Sequence, residues 1–175
     1  MAQPDPIHVD PIKEAQRQWV AHGWDDAADG MAMVTSLVRV QQLLMERINA
    51  ALRPCELTFA RFEVLRLLAF TRAGELTMTR LGSLLQVHPT SVTSAVDRLV
   101  AQGFVDRVRS DADRRVIRAR ITDAGRAIAE TATDALNEQV FTEPGLSADD
   151  VRRLTGLLDS LRSVGGDQVA RPTDS

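Results

Sequence analysis

The chain has 175 residues, 44% hydrophobic and 26% charged, with a formal net charge of −3. These values lie near the averages for globular proteins, and no apolar run reaches bilayer length, so we expect one domain with a substantial core and no membrane partner. The N-terminus lacks the basic and apolar stretches of a secretion signal, and a single cysteine excludes an intramolecular disulfide, so we expect a cytoplasmic protein.

The first predicted element is a helix within an N-terminal extension, residues 1–30. Asp10 is a good capping residue, Pro11 suits the first helical position, and Gly23 is a stop signal. One side of this helix is apolar and predicts a packing face: Ile12, Ala15, Trp19 and Val20.

A long helix is predicted next, from Met31 to Leu52, and Pro54 ends it. Residues 31–56 form the dimerisation helix of the predicted fold. Its broad apolar stripe comprises Val34, Leu37, Val38, Leu44, Met45, Ile48, Ala51 and Leu52. A second helix, Thr58 to about Thr71, is expected to fill the core with Phe59, Phe62, Leu65 and Leu68.

Two short helices separated by a tight turn follow, within a lobe that we predict over residues 57–122. Thr77 caps the first, whose inward residues are Leu81, Leu84 and Leu85. The second runs from Pro89 to a stop at Gly103, and its buried stripe is Val92, Val96, Leu99 and Val100. Its outward face is small and polar, so it can approach the edges of DNA bases: Thr90, Ser91, Ser94, Asp97 and Arg98.

A hairpin with a charged tip is predicted after the second helix. Residue types alternate over 104–109 and again over 116–121, which is typical of two strands. Residues 98–120 contain seven arginines and three aspartates, a balance of +4 in an otherwise acidic chain. A projecting loop with adjacent arginines suits a DNA groove or phosphate backbone, and a solvated, salt-bridged hairpin is the alternative.

Two helices are predicted after the hairpin, over residues 123–164. The first begins at Thr122 and runs to about Val140; Pro144-Gly145 breaks the chain, and Ser147 with Asp150 caps a last helix that ends near Ser163. The apolar set of the last helix is Val151, Leu154, Leu157, Leu158 and Leu161. Residues 165–175 are expected to be a disordered tail.

The segment from about Leu57 to Arg126 resembles the MarR (multiple antibiotic resistance regulator) family of transcription factors. The matching motifs are LTFARFEVLRLL, LGSLLQVHPTSVTSAVDRLVAQGFVDR, the DRR of the hairpin tip, and ITDAGR. The resemblance implies a mostly α fold with a small β-hairpin wing: a dimeric winged helix-turn-helix with N- and C-terminal dimerisation helices. It also implies that Asp113 helps to hold the wing, that Arg115 reaches DNA from its tip, and that Arg98 is a structural or phosphate-contacting residue.

The apolar stripes of the terminal helices support the dimer, because one small lobe does not cover them. A two-fold axis would place two recognition helices in successive major grooves about 34 Å apart and predicts a palindromic, inverted-repeat operator on double-stranded DNA. A monomer with an intramolecular helical core is the alternative. The expected DNA-binding residues are Thr77, His88, Pro89, Thr90, Ser91, Thr93, Ser94, Arg98, Arg107, Arg109, Asp113, Arg114 and Arg115.

The extra N-terminal helix resembles that of the subgroup that responds to urate and other small organic acids. Trp19 matches the tryptophan of that subgroup, Glu63 stands where an aspartate is usual, and Ala95 replaces an arginine, which favours an organic anion other than urate. Docking of the extra helix is the other role open to Trp19. The candidate ligand-binding residues are Trp19, Arg17, Arg61, Glu63 and His88.

The function predicted from these features is a DNA-binding transcriptional regulator, a repressor released from its operator by a small organic acid. An architectural DNA-binding protein without a ligand is one alternative. A redox-sensing regulator is another, with Cys55 beside Arg53 as the thiol, although a lone cysteine in a turn is more often a packing residue. We expect no enzyme, cofactor or metal, because the three histidines have no metal-ligand spacing and no phosphate-binding loop is present.

Overall fold

The computed structural model describes residues 9–109 and 116–167. It begins with helix α1, Pro11–Ala21, whose predicted cap is confirmed: Asp10 Oδ1 accepts hydrogen bonds from the backbone N–H groups of Ile12 (2.9 Å) and Lys13 (3.4 Å). The chain reverses at Gly23, where φ is +80°, and α1 then lies along the next helix. The extension therefore packs against the long helix.

The long helix α2 spans Asp25–Leu52. The prediction that it starts at Met31 was wrong. Asp25 and Asp26 occupy its first turn, where carboxylates stabilise the positive end of the helix dipole, and Gly30 is accommodated inside it. Its last turns enter the main core, where Ile48, Ala51 and Leu52 are buried. Ala28 near its start is also buried, apart from that cluster, whereas other apolar residues of its first half, such as Val34 (54% exposed), face outward in the single chain.

A lobe of three helices and a small sheet follows a 3-10 turn at Arg53–Cys55. It contains α3 (Phe59–Phe70), β1 (Glu75–Thr77), α4 (Met78–Leu85), α5 (Pro89–Ala101), β2 (Val105–Arg109) and β3 (Ile117–Ile121). The antiparallel sheet has the order β1-β3-β2. The two predicted strands of the wing are thus confirmed, and a third strand, β1, joins them.

The register of the sheet determines which strand residues enter the core. Val105 pairs with Ile121 and Arg107 with Ala119 in β2 and β3, and Leu76 of β1 pairs with Ala119 from the other side. Val105, Ala119 and Ile121 are almost fully buried. The core also contains the following buried side chains from the helices: Leu52, Leu65, Leu68, Leu81, Val92, Val96, Leu99, Ala129 and Leu136.

Two predicted core positions are wrong. Leu84 of α4 is 42% exposed and Val100 of α5 is 37% exposed. Both lie at the edge of an apolar stripe, so the helical period groups them with the buried residues although the neighbouring elements do not cover them. Exposure at these positions leaves the flank of each short helix accessible in the single chain.

The last elements return to the long helix and then leave the lobe. Helix α6, Asp123–Leu136, continues into a π-helical turn, Asn137–Phe141, and α7 spans Ala148–Val164. The predicted caps are confirmed: Thr122 Oγ1 accepts from the Gly125 N–H at 3.0 Å, and Ser147 Oγ accepts from the Asp150 N–H at 3.2 Å.

Helix α7 keeps most of its apolar side chains at the surface. Leu157 is 69% exposed, and Leu154 and Leu161 are also exposed. The exposed leucines form the uncovered apolar face of an amphipathic helix.

Among the described residues, no helix is both long and apolar enough to cross a membrane.

Candidate DNA-binding surface

Helix α5 presents the polar face that the sequence predicts. Thr90, Ser91, Thr93, Ser94 and Arg98 are all exposed along it. Short hydroxyl side chains leave room for the helix to approach base edges, and a flexible arginine reaches phosphates or the guanine edge. The chemistry and the exposure of this face both suit a helix that enters a major groove.

The opposite face of α5 is anchored in the core. Val92, Val96 and Leu99 are 1% exposed or less, and Leu81 of α4 is fully buried within the same cluster. Packing of this density leaves a side chain little freedom to shift. The polar face of α5 is therefore held on a rigid support.

The turn between α4 and α5 defines where α5 begins. Gln86 adopts a left-handed conformation, with φ of +53°, at the end of α4. His88 is the N-cap of α5: its Nδ1 lies 3.3 Å from the Thr90 backbone nitrogen and accepts that N–H. Thr77 caps α4 by accepting from the Arg80 N–H at 3.1 Å. His88 and Thr77, both predicted DNA-binding residues, thus have structural hydrogen bonds at helix starts.

An ion pair joins α5, the predicted recognition helix, to the wing. Arg107 of β2 lies 2.7 Å from the Asp97 carboxylate of α5. Arg109, two residues further along the same strand, is exposed and pairs in register with Ile117 of β3. Both predicted arginines of β2 are exposed: Arg107 is paired with a carboxylate of the same chain, and Arg109 lies nearer the tip.

Two arginines outside the predicted DNA-binding set lie on the outer face of the wing. Arg118 and Arg120 of β3 both contact Glu75 of β1, at 3.2 and 2.9 Å. Their spacing of two residues, which places both on one face of a strand, was the available signal. One carboxylate orients two guanidinium groups, and the cluster keeps a net positive charge beside the wing.

The tip of the wing lies outside the described residues. Asp113, Arg114 and Arg115, which were predicted to hold the wing and to contact DNA, belong to it. The side chain of Pro89, another predicted DNA-binding residue, is also outside the description. The roles of these residues stay predictions.

A cleft of about 680 Å³ lies between α3 and α5. Arg61 and Arg98 line it on opposite sides, and the Arg61 guanidinium is held in place by Thr58 Oγ1 (3.2 Å from Nε) and Gln102 Oε1 (2.7 Å from Nη1). Two guanidinium groups at one cleft suit a carboxylate. The residues that line the cleft are Thr58, Ala60, Arg61, Thr90, Ser91, Ser94, Ala95 and Arg98.

The predicted ligand residues do not all meet at this cleft. Trp19 and Arg17 lie on α1, which packs along α2. The Trp19 ring meets the Trp24 ring edge-on, with the ring centroids 5.3 Å apart, and Arg17 pairs with Glu14. Glu63 of α3 is half-buried, and this burial raises the pKa of its carboxyl. Of the predicted set, Arg61 alone lines the cleft within one chain.

Cys55 lies in the turn after α2, with its side chain almost fully buried at 5% exposure. Burial raises the pKa of its thiol, which lowers the fraction of reactive thiolate. A redox sensor needs an accessible, readily ionised thiol. The environment of Cys55 therefore favours the packing role over redox sensing.

Comparison with known proteins shows that the chain is similar to a family of regulators. Residues 57–116 match the family model described as MarR family. The chain is 32% identical over 113 residues to the multiple antibiotic resistance protein MarR of Escherichia coli, covering 63% of this chain and 77% of that protein. It is also 32% identical over 109 residues to YpoP, an uncharacterised HTH-type transcriptional regulator of Bacillus subtilis, covering 62% of this chain and 75% of that protein.

Solved structures agree with the sequence comparison. Sco5413, a MarR family transcriptional regulator from Streptomyces coelicolor, has a TM-score of 0.72 and 40% identity, covering 81% of this chain and 99% of that one. A mutant of E. coli MarR complexed with operator DNA has a TM-score of 0.69 and 28% identity, covering 78% of this chain and 98% of that one. The predicted winged-helix fold is thereby confirmed.

Proposed function

The chain belongs to the MarR family of DNA-binding transcriptional regulators, and we propose that it acts as a homodimeric repressor that binds an inverted-repeat operator and leaves it when a small organic anion binds. The observation that carries the proposal is the exposed hydroxyl and arginine face of α5 beside a wing with a positive charge balance. A buried apolar stripe anchors that face. This arrangement suits major-groove reading by α5 and backbone contact by the wing.

The dimer is supported by apolar faces that the single chain leaves uncovered. Val34 and Val38 lie exposed on the first half of α2, and Leu157 lies exposed on α7. Helices with a continuous exposed apolar face are typical of subunit interfaces. A second copy of the chain would cover these residues and set two α5 helices about 34 Å apart.

The DNA-binding part of the proposal is tested by selecting duplexes from a randomised pool with the full chain and footprinting the selected sites. We expect two half-sites whose centres are about one helical turn apart, protected by a dimer in sedimentation analysis. A monomer, or a protein that enriches no sequence, would contradict the proposal. Binding that ignores sequence would instead support the architectural alternative.

The effector part of the proposal depends on the arginines of the cleft and on α1. Arg61 lines the cleft while it also bonds Gln102, which caps the C-terminal end of α5, so an anion held there would act directly on the recognition helix. Such a ligand shifts the equilibrium only if it binds the released state more tightly than the DNA-bound state. Citrate, benzoate and urate, added to the protein–operator complex, are suitable probes.

We expect Trp19→Ala to weaken release by an effective anion more than it weakens operator binding, and Arg61→Met to do the same. Phe70→Ala is the matched aromatic control, because Phe70 is exposed on α3 and contacts Arg66. Equal release in the wild type and the Trp19 variant would remove Trp19 from the ligand site. If none of the anions releases the protein from its operator, the proposed ligand response is contradicted.

A further inference from the structure

Gln102 joins two parts of the molecule at the C-terminal end of α5. Its side-chain oxygen accepts a hydrogen bond from Arg61 Nη1 at 2.7 Å, and its side-chain nitrogen donates to the backbone oxygen of Glu56 at 3.2 Å. Arg61 is in turn held by Thr58 through its Nε. We call Gln102, Arg61 and the Glu56 carbonyl the Gln102 clamp.

The Glu56 carbonyl is fixed to the end of the long helix. Glu56 follows the 3-10 turn directly, its N–H donates to the Arg53 oxygen at 3.0 Å, and its backbone is left-handed, with φ of +53°. A non-glycine residue holds this conformation only where its surroundings determine it. The clamp therefore connects the end of α2 to the end of α5.

Hydrogen bonds and apolar packing contribute differently to this connection. Apolar packing holds the buried face of α5 against the core, and it acts through contact area and shape and not through individual donors and acceptors. The two bonds of Gln102 have defined donors, acceptors and directions. The clamp is thus suited to fixing the angle of α5 relative to α2.

We propose that Gln102 is a positioning residue that sets the tilt of the recognition helix relative to α2, and thereby the half-site spacing that the dimer accepts. The inference rests on the proposed function, in which α2 forms part of the dimer. A helix of 13 residues is about 20 Å long, so a tilt of about 10° moves its far end by about 3.5 Å. That displacement corresponds to about one base-pair step.

The test measures operator affinity for the selected duplex and for duplexes whose half-sites are one base pair closer or farther apart, without added anion. We expect the wild type to prefer one spacing and Gln102→Met to reduce that preference by about tenfold, because both hydrogen bonds are lost. Gln18→Met is the control, since Gln18 lies on α1 and its side-chain nitrogen donates to Glu14, one turn earlier on the same helix.

Two further variants separate the halves of the clamp. Gln102→Glu retains an acceptor for Arg61 but has no donor for the Glu56 carbonyl, whereas Gln102→Lys retains a donor but has no acceptor. We expect each to lose spacing preference. We also expect the double variant, Arg61→Met with Gln102→Met, to lose no more spacing preference than either single variant, because both changes break the same unit. Arg61→Met alone provides the same readout if Gln102→Met does not fold.

A merely structural role would give a different result. Gln102→Met would then lower the melting temperature while the ratio of affinities between spacings stayed at the wild-type value, and that outcome would overturn the inference. The same conclusion would follow if Arg61→Met left the ratio unchanged. Failure of the proposed function is distinguishable, because the wild type itself would then show no spaced operator.

Discussion

Asp97 of α5 and Arg107 of β2 form an ion pair of 2.7 Å between the recognition helix and the wing. The two elements are adjacent in sequence but separated by the Gly103 turn, where φ is +75°. The pair bridges this turn and constrains the direction in which the wing projects. It also offsets the charge of Arg107, which is one of the predicted DNA-binding residues.

We expect Arg107→Gln and Asp97→Asn each to weaken operator binding by about fivefold, and the double variant to be no weaker than either, because both break the same pair. A phosphate-contacting Arg107 predicts otherwise. In that case Asp97→Asn would strengthen binding, and Arg107→Gln would reduce the slope of log affinity against log salt by about 0.9. Salt titrations of the four proteins against one operator separate these two roles.

Arg115 provides the contrasting case at the tip of the wing. We expect Arg115→Ala to weaken operator binding by about tenfold and to reduce the salt slope by about one, because a phosphate contact is lost. The free energy of unfolding should change by less than about 0.5 kcal/mol, because the sequence predicts a charged wing tip that is not part of the core. Arg153→Ala on α7 is the control for loss of a surface charge. An unchanged affinity at fixed salt would contradict the assignment.

Gly125 in the first turn of α6 tests the junction between the wing and the C-terminal helices. A Cβ at this position would overlap the Phe104 carbonyl oxygen and lie 2.9 Å from Ile121 Cγ1. We expect Gly125→Ala to lower the free energy of unfolding by about 3 kcal/mol, measured by urea denaturation. Gly30→Ala is the matched control in α2, where a Cβ meets no atom of the described residues within 4 Å, and should be neutral or slightly stabilising. Equal effects would refute the close approach.

Glu63 predicts a dependence of stability on pH. Burial raises the pKa of this carboxyl in the folded state, so the folded protein binds more protons than the unfolded one as pH passes from the ordinary glutamate pKa up to the raised value. The contribution of Glu63 to stability therefore falls as pH rises through this window and is least favourable above it.

We expect Glu63→Gln to be more stable than the wild type at pH 7, by less than about 1 kcal/mol because the side chain is only half-buried. The difference should disappear near pH 4, where the wild-type carboxyl is protonated in the folded state. Thermal unfolding of both proteins between pH 4 and 8 measures it. If the difference in stability between the two proteins instead increased as the pH falls, the fold would favour the charged form of Glu63.

Much of the fold was predictable because its determinants are local. The Asp10-Pro11 start of α1 and the Ser147 cap of α7 each depend on side chains within three residues of the backbone groups that they satisfy. Alternation in β2 and β3 predicted the wing in the same way. Strand β1 was missed, because three residues carry no period and Leu76 becomes a strand residue only by pairing with Ala119.

The sequence alone determined the order of the helices and of the two wing strands, the capped starts of α1, α4 and α7, the small polar face of α5 and the concentration of arginine in the wing. Each of these depends on residue type and spacing over a few neighbouring positions. Tertiary structure decided that Arg107 pairs with Asp97, that Glu75 orients Arg118 and Arg120, and that Gln102 connects α5 to Glu56. These contacts depend on how packed elements are oriented in space, which no local period specifies.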